Sequence, residues 1–168
     1  MVRDYQRVAR QTVIIATSVV WLGVGHPHGQ GRSAAVLGVP SGDVQVYKQP
    51  GCGCCELWAR HMRAAGFRVA VEEAADVEGM KRRHAIPINL RSCHTSVVGA
   101  SRVYRLEGHV PANIVRRLLS EKPAVAGIAV PGMPIGSPGM ESGSRRDPYD
   151  VIAFDADGRQ RVFTSVNK

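Results

Sequence analysis

Aromatic side chains are scarce in this 168-residue chain: two Trp, four Tyr and three Phe make up 5% of it. A core must therefore come mainly from Val, Ile, Leu and Ala, which are plentiful, and the bulk of the chain does not read as disordered. Acidic residues are also in the minority, 14 against 22 Lys and Arg, so the formal net charge is +8. The basic residues are scattered (Arg60, Arg63, Lys81, Arg116 and Arg145 among them). They come without interleaved aromatics or a nucleic-acid motif, so nucleic acid is not an expected partner and solvated helix faces are the better account. Attraction to an anionic membrane surface is the weaker alternative. There is no internal repeat, and no apolar run reaches the roughly 18 residues of a spanning helix. Cysteine is sparse too, with four in all. Two structural disulfides would use every one of them, yet three are crowded at positions 52, 54 and 55. A disulfide between the adjacent Cys54 and Cys55 would be strained, so a metal or redox site is favoured over a structural framework.

The first 25 residues read as a signal peptide or N-terminal anchor. Arg3, Arg7 and Arg10, softened by Asp4, precede the uncharged apolar run Thr12 to Val24. That length suits a signal-peptide core and is short for a membrane span. Gly23-Val24-Gly25 and the region of Ser33-Ala34-Ala35 are the candidate cleavage sites. Removing residues 1–25 leaves a net charge of +6. No second hydrophobic span follows, so the remainder is expected to be soluble and periplasmic, with membrane attachment only through an uncleaved N-terminus. Residues 26–42, rich in Gly, Ser, Pro and His, read as a linker. Residues 43–168 are the expected folded domain.

Within that domain the pattern predicts a strand at Val44–Lys48, a turn at Gln49–Gly51 and a helix from Cys52 to Ala65. The helix would bury Leu57, Trp58, His61 and Met62, and Gly66 would end it. A strand at Phe67–Glu72 follows, then a helix at Val77–His84 capped by Asp76. Residues 88–95 read as a loop carrying Cys93 and His94. Strands beginning at Val97 and Val103 come next, then a helix at Ala112–Ser120 with Pro111 at its start. Residues 127–148 read as one long Gly/Pro/Met/Ser loop, a length usually functional or disordered. A hairpin of Tyr149–Phe154 and Arg159–Thr164 closes the chain. This order resembles the thioredoxin and glutaredoxin arrangement, an α/β fold with helices on a mixed central sheet. In that arrangement the loop entering the third strand faces the CxxC, which would set Cys93-His94 opposite Cys52 and Cys55.

The chemistry concentrates in sulfur. Cys52 and Cys55 have CxxC spacing at a helix start, where negative charge is favoured, so thiolates form more easily there. One helical turn brings the two sulfurs together, for a disulfide or for one metal. Cys54 adds a third sulfur, either a ligand or a buried bystander. Cys93-His94 adds a soft and a borderline ligand, while His109, before the third helix, serves equally well as a ligand or as turn packing. His61 and His84 fall within helices and read as structural or exposed. Met133 and Met140 stand in a Gly/Pro-rich loop that offers no core face, and thioether suits Cu(I) rather than zinc. Three readings stay open: a copper site, a thiol–disulfide oxidoreductase using Cys52 and Cys55, and a structural zinc module.

Four segments in order, Tyr47-Lys48 through Pro50-Gly51-Cys52-Gly53-Cys54-Cys55, Leu90-Arg91-Ser92-Cys93-His94-Thr95, Glu107-Gly108-His109-Val110-Pro111-Ala112 and Ala129 through Pro131-Gly132-Met133-Pro134-Ile135-Gly136-Ser137-Pro138-Gly139-Met140-Glu141, closely resemble the CopG-like family associated with bacterial copper resistance. The resemblance covers about residues 43–165. It implies a thioredoxin-like fold outside the cytoplasm and a cysteine-bridged cluster of more than one copper ion per chain. It further implies a role in Cu(I)/Cu(II) chemistry, which would make the protein a copper oxidoreductase working with copper-handling or electron-transfer proteins of the same compartment. The ligands it implies are Cys52, Cys54, Cys55, Cys93, His94, His109, Met133 and Met140.

Overall fold

Strand β1 (Asp43–Lys48) alternates, with Val44, Val46 and Lys48 buried along one side. It occupies the inside of the sheet, parallel to β2 (Arg68–Glu73) and antiparallel to β3 (His94–Val98). The sheet continues through β4 (Tyr104–Glu107), β5 (Gly127–Ala129), β6 (Tyr149–Phe154) and β7 (Gln160–Val166). Its seven strands run in the order β2-β1-β3-β4-β5-β6-β7, with β4 and β5 parallel and the β5–β6 and β6–β7 pairs antiparallel. This computed structural model describes residues 42–168. The expected signal or anchor at 1–25, and all of the linker but its last residue, lie outside the described residues. Among the described residues no helix is long and apolar enough to cross a membrane.

Helix α1 (Gly53–Ala64) starts where Cys52 leaves the extended conformation, and it ends in Ala65 and the positive-φ Gly66. Its buried residues are Cys55, Trp58, Ala59 and Met62, the i, i+3, i+4, i+7 spacing of one helical face. Leu57, expected on that face, is instead 43% exposed, because it falls one position off the stripe. Helix α2 (Val77–Arg83) is capped as expected, Asp76 accepting from the Gly79 amide at 2.6 Å. Helix α3 (Ala112–Glu121) buries Ile114, Val115 and Leu118.

Two clusters divide the core. Trp58 and Met62 of α1 and Ile114 and Leu118 of α3 pack with Val46, Leu106, Ile128 and Val151 of the strands. Ile86, Leu90, Ala129 and Phe154 form a smaller cluster. Ile128 belongs to one cluster and Ala129 to the other, and Val151 and Phe154 divide likewise. Alternate residues of a strand point to opposite faces, so α1 and α3 cover one face of the sheet and the smaller cluster lies on the other.

Two expectations need correction. The segment read as a loop over 88–95 holds a 3₁₀ turn at Ile88–Leu90, and β3 begins at His94, three residues before Val97. His94-Thr95-Ser96 is polar, so periodicity does not mark it as strand. It is fully buried all the same, the His94 ring lying against Trp58 of α1 and His109. The segment read as a loop from 127 begins with β5, whose three residues are too few to show a period. A side chain at Gly127 would run into the Arg105 carbonyl and the Phe154 ring, which is why this strand starts with glycine. Through β5 the expected C-terminal hairpin joins the main sheet.

His61 performs a structural task that helical spacing does not reveal. Its Nε2 accepts from the Ala112 amide at 3.1 Å, satisfying an otherwise free donor at the start of α3. Only the neutral ring can accept there, and burial lowers the His61 pKa from 6.5, with the Glu141 carboxylate opposing. A folded-state value below the unfolded one contributes stability that is present above the ordinary histidine range and is lost as pH falls through it. His61→Leu is therefore expected to cost about 1 kcal/mol near neutral pH, the usual worth of a helix N-cap. It should also flatten the pH dependence of thermal unfolding on the acid side. A variant melting like wild type at pH 8 would contradict this role.

Candidate metal centre

The register of the sheet builds the site. Lys48, the last residue of β1, pairs with His94, the first of β3, so the strand that leads into the CxxC ends beside the strand that follows Cys93. Turn Gln49–Gly51 then carries the chain to Cys52, whose amide donates back to the Gln49 carbonyl at 3.3 Å. Cys52 and Cys55 are joined as a disulfide, with Cα atoms 5.4 Å apart. Cys54 and Cys93 are free thiols, both partly exposed. Cys54 Sγ lies 3.6 Å from Cys52 Sγ.

Two donor groups emerge among the described residues, and they share one residue. Cys52, Cys54, Cys55 and Cys93 place their sulfurs within 4.8 Å of one another, and Cys93, His94 and His109 do the same with a sulfur and two ring nitrogens. Cys93 Sγ is 2.9 Å from His109 Nε2 and 3.4 Å from His94 Nδ1. The His109 ring is oriented from behind: its Nδ1 donates to the Pro138 carbonyl at 2.8 Å. A carbonyl can only accept, so Nδ1 carries the proton and the Nε2 lone pair faces Cys93. His94 is wholly buried, its ring 4.5 Å from that of Trp58 and 5.1 Å from that of His109. Its Nε2 has no hydrogen-bond partner among the described residues. Trp58 is itself fixed by its indole N–H, which donates to the Val110 carbonyl at 2.8 Å.

Electrostatics keeps both rings neutral. Burial holds His94 well below the usual histidine value, aided by His109 and by the Lys81 ammonium, and burial also lowers His109. Neutral imidazoles are ready ligands. Burial pushes the Cys93 thiol up to about 12, with the neighbouring Cys54 adding to the effect and Ser92 and Lys81 opposing it. A bound cation would reverse that balance, since metal coordination deprotonates thiols. The cysteine-rich donor set suits a soft metal and the imidazoles a borderline one, so the residues present fit copper bound after the disulfide is reduced.

The long loop closes over this corner. The Pro138 carbonyl accepts the hydrogen bond from His109, and Gly139, at φ +87°, lies so near the first turn of α1 that a side chain there would come within 2.6 Å of the Cys54 carbonyl and 2.9 Å of the Trp58 amide. The Gly139 amide donates to Glu141 at 2.9 Å. Met140 is partly buried in this stretch, whereas Met133 is 53% exposed. The structure thus brings Cys52, Cys54, Cys55, Cys93, His94 and His109 together at one corner. Pro138 and Trp58, which orient the imidazoles, carry no motif signal of their role. The family model described as "Protein of unknown function, DUF411" matches residues 90–140. Two solved structures titled as copper resistance protein CopG, Form 2 and Form 1, are 39% identical to this chain, each with a TM-score of 0.69. The matches cover 74% and 75% of this chain and 98% of each CopG chain. This chain belongs to the CopG family. Curated proteins offer no match. The α/β frame is the part of the molecule that the match to the CopG structures bears on directly.

Proposed function

We propose that this protein binds copper in copper resistance, holding Cu(I) in a thiolate-rich site with more than one ion per chain and exchanging Cu(I) and Cu(II) there. The observation that carries this reading is the pair of donor groups meeting at Cys93. A thiolate can bridge two metal ions, so one shared sulfur lets a small site hold several. Sulfur suits Cu(I), and the imidazoles of His94 and His109 suit Cu(II), which gives the site donors for both states. Met133 and Met140, in the loop that packs on α1, would add thioether. We read the fold as thioredoxin-like and the location as periplasmic, reached through residues 1–25. Copper ions are the principal partners, with copper-handling or electron-transfer proteins of that compartment as donors or acceptors.

The Cys52–Cys55 disulfide at the start of α1 favours a second reading, thiol–disulfide exchange with proteins. That reading leaves Cys93, His94 and His109 without a task, and a structural zinc module leaves the methionines without one. Reduced protein offered equal Cu(I) and Zn(II) is expected to retain copper and release zinc on desalting. Robust insulin reduction by metal-free protein, or zinc retained in preference to copper, would overturn the copper reading.

A further inference from the structure

Lys81 and Glu107 form an ion pair at 2.6 Å with both side chains fully buried. Taking both charges out of water is costly, and apolar residues of similar size would often be as stable. The pair does something an apolar pair cannot. Glu107 Oε1 accepts from the Ser92 amide at 2.6 Å, and Lys81 Nζ donates to the Ser92 carbonyl. Both polar groups of that residue's backbone are thus gripped by the same two side chains, one from α2 and one from β4. The Ser92 hydroxyl donates to the Gly132 carbonyl at 2.5 Å, tying the same residue to the long loop. The next residue is Cys93, the sulfur common to both donor groups.

We propose that Lys81 and Glu107 are positioning residues for the metal site, clamping the Ser92 backbone so that the Cys93 thiol stays where both donor groups can use it. This rests on the copper-binding reading above. Cys93 follows a short loop rather than lying within a helix or strand, so its sulfur is placed by whatever holds the residue before it. His94 is fixed separately by the β1–β3 ladder, and His109 by Pro138. The clamp supplies the remaining constraint.

Two readouts on the full-length chain test this. One is alkylation of Cys93 by iodoacetamide, resolved by peptide mass with the Cys52–Cys55 disulfide intact, using Cys54 as the internal reference. The other is Cu(I) affinity of the reduced protein against a chromophoric chelator. In Lys81→Met/Glu107→Leu no buried charge is stranded and both anchors are gone. Cys93 alkylation should rise several-fold relative to Cys54, and Cu(I) affinity should fall about 10–100-fold, the range for groups that orient a metal ligand. Lys81→Met/Glu107→Gln, whose amide oxygen still accepts from Ser92, should fall between this variant and wild type. A folded Lys81→Met/Glu107→Leu protein with wild-type alkylation and affinity overturns the proposal. Should that variant fail to fold, Lys81→Arg decides, since it keeps the charge but changes the donor geometry. Faster Cys93 alkylation supports the clamp, and an unchanged rate overturns it. Wild-type protein that binds no Cu(I) defeats the copper reading, and the alkylation series still judges the clamp on its own.

Discussion

Cys93→Ser is expected to do more damage to copper binding than any other single cysteine substitution. Removing that sulfur breaks both donor groups at once, leaving three sulfurs at the start of α1 and two imidazoles across from them. A hydroxyl is a poor ligand for Cu(I) and does not bridge soft metal ions as a thiolate does. The reduced variant should bind fewer copper ions than wild type, with affinity for those that remain lowered on the order of a hundredfold, the upper end of what loss of a ligand's supporting contacts usually costs. The fold should persist, because Cys93 is only partly buried and belongs to neither core cluster. Elemental analysis after desalting reads the count, and chelator competition reads the affinity. A Cys93→Ser protein with wild-type copper content would mean that the two donor groups act independently.

Cys52→Ser combined with Cys55→Ser should have an effect of similar size by a different route. It removes two of the four sulfurs of the cluster while leaving Cys93, His94 and His109 in place. High-affinity Cu(I) binding should be lost, a drop of at least about a hundredfold. Weaker binding at the Cys93 side should remain. Cys55 is fully buried, so the serine hydroxyl there adds a stability cost of roughly 1–3 kcal/mol. Cooperative unfolding at reduced temperature with copper affinity lost is the expected result, and unchanged stoichiometry and affinity would sink the assignment. The same variant separates the competing readings, since a thiol–disulfide oxidoreductase would lose exchange activity while keeping whatever metal it binds elsewhere.

The sulfur-bearing part of the site is legible in the sequence because its signals are local. CxxC spacing before an amphipathic stretch announces both the helix start and the proximity of two sulfurs. The approach of Cys93-His94 is implied by the resemblance of the element order to the thioredoxin arrangement, although His94 turns out to open β3 rather than to sit in a loop. A run of His, Thr and Ser does not look like strand. It becomes strand because β1 and β4 offer hydrogen-bonding partners on either side. β5 is hidden for a related reason, since three residues carry no period and their burial depends on strands far off in sequence. The supporting contacts are the least legible part. Pro138 accepting from His109, Trp58 against His94, and the grip of Lys81 and Glu107 on Ser92 each join residues whose types, taken singly, have commoner explanations. Lys81 reads as one more solvated helix charge until burial shows otherwise.

The central claim, a clustered copper site sharing Cys93, is tested most directly by counting. Protein reduced with a phosphine, so that the Cys52–Cys55 disulfide is opened, is titrated anaerobically with Cu(I) against a chromophoric chelator, and bound copper is measured by elemental analysis. Tight binding of more than one copper ion per chain is the predicted result. Binding of a single ion or none would contradict it.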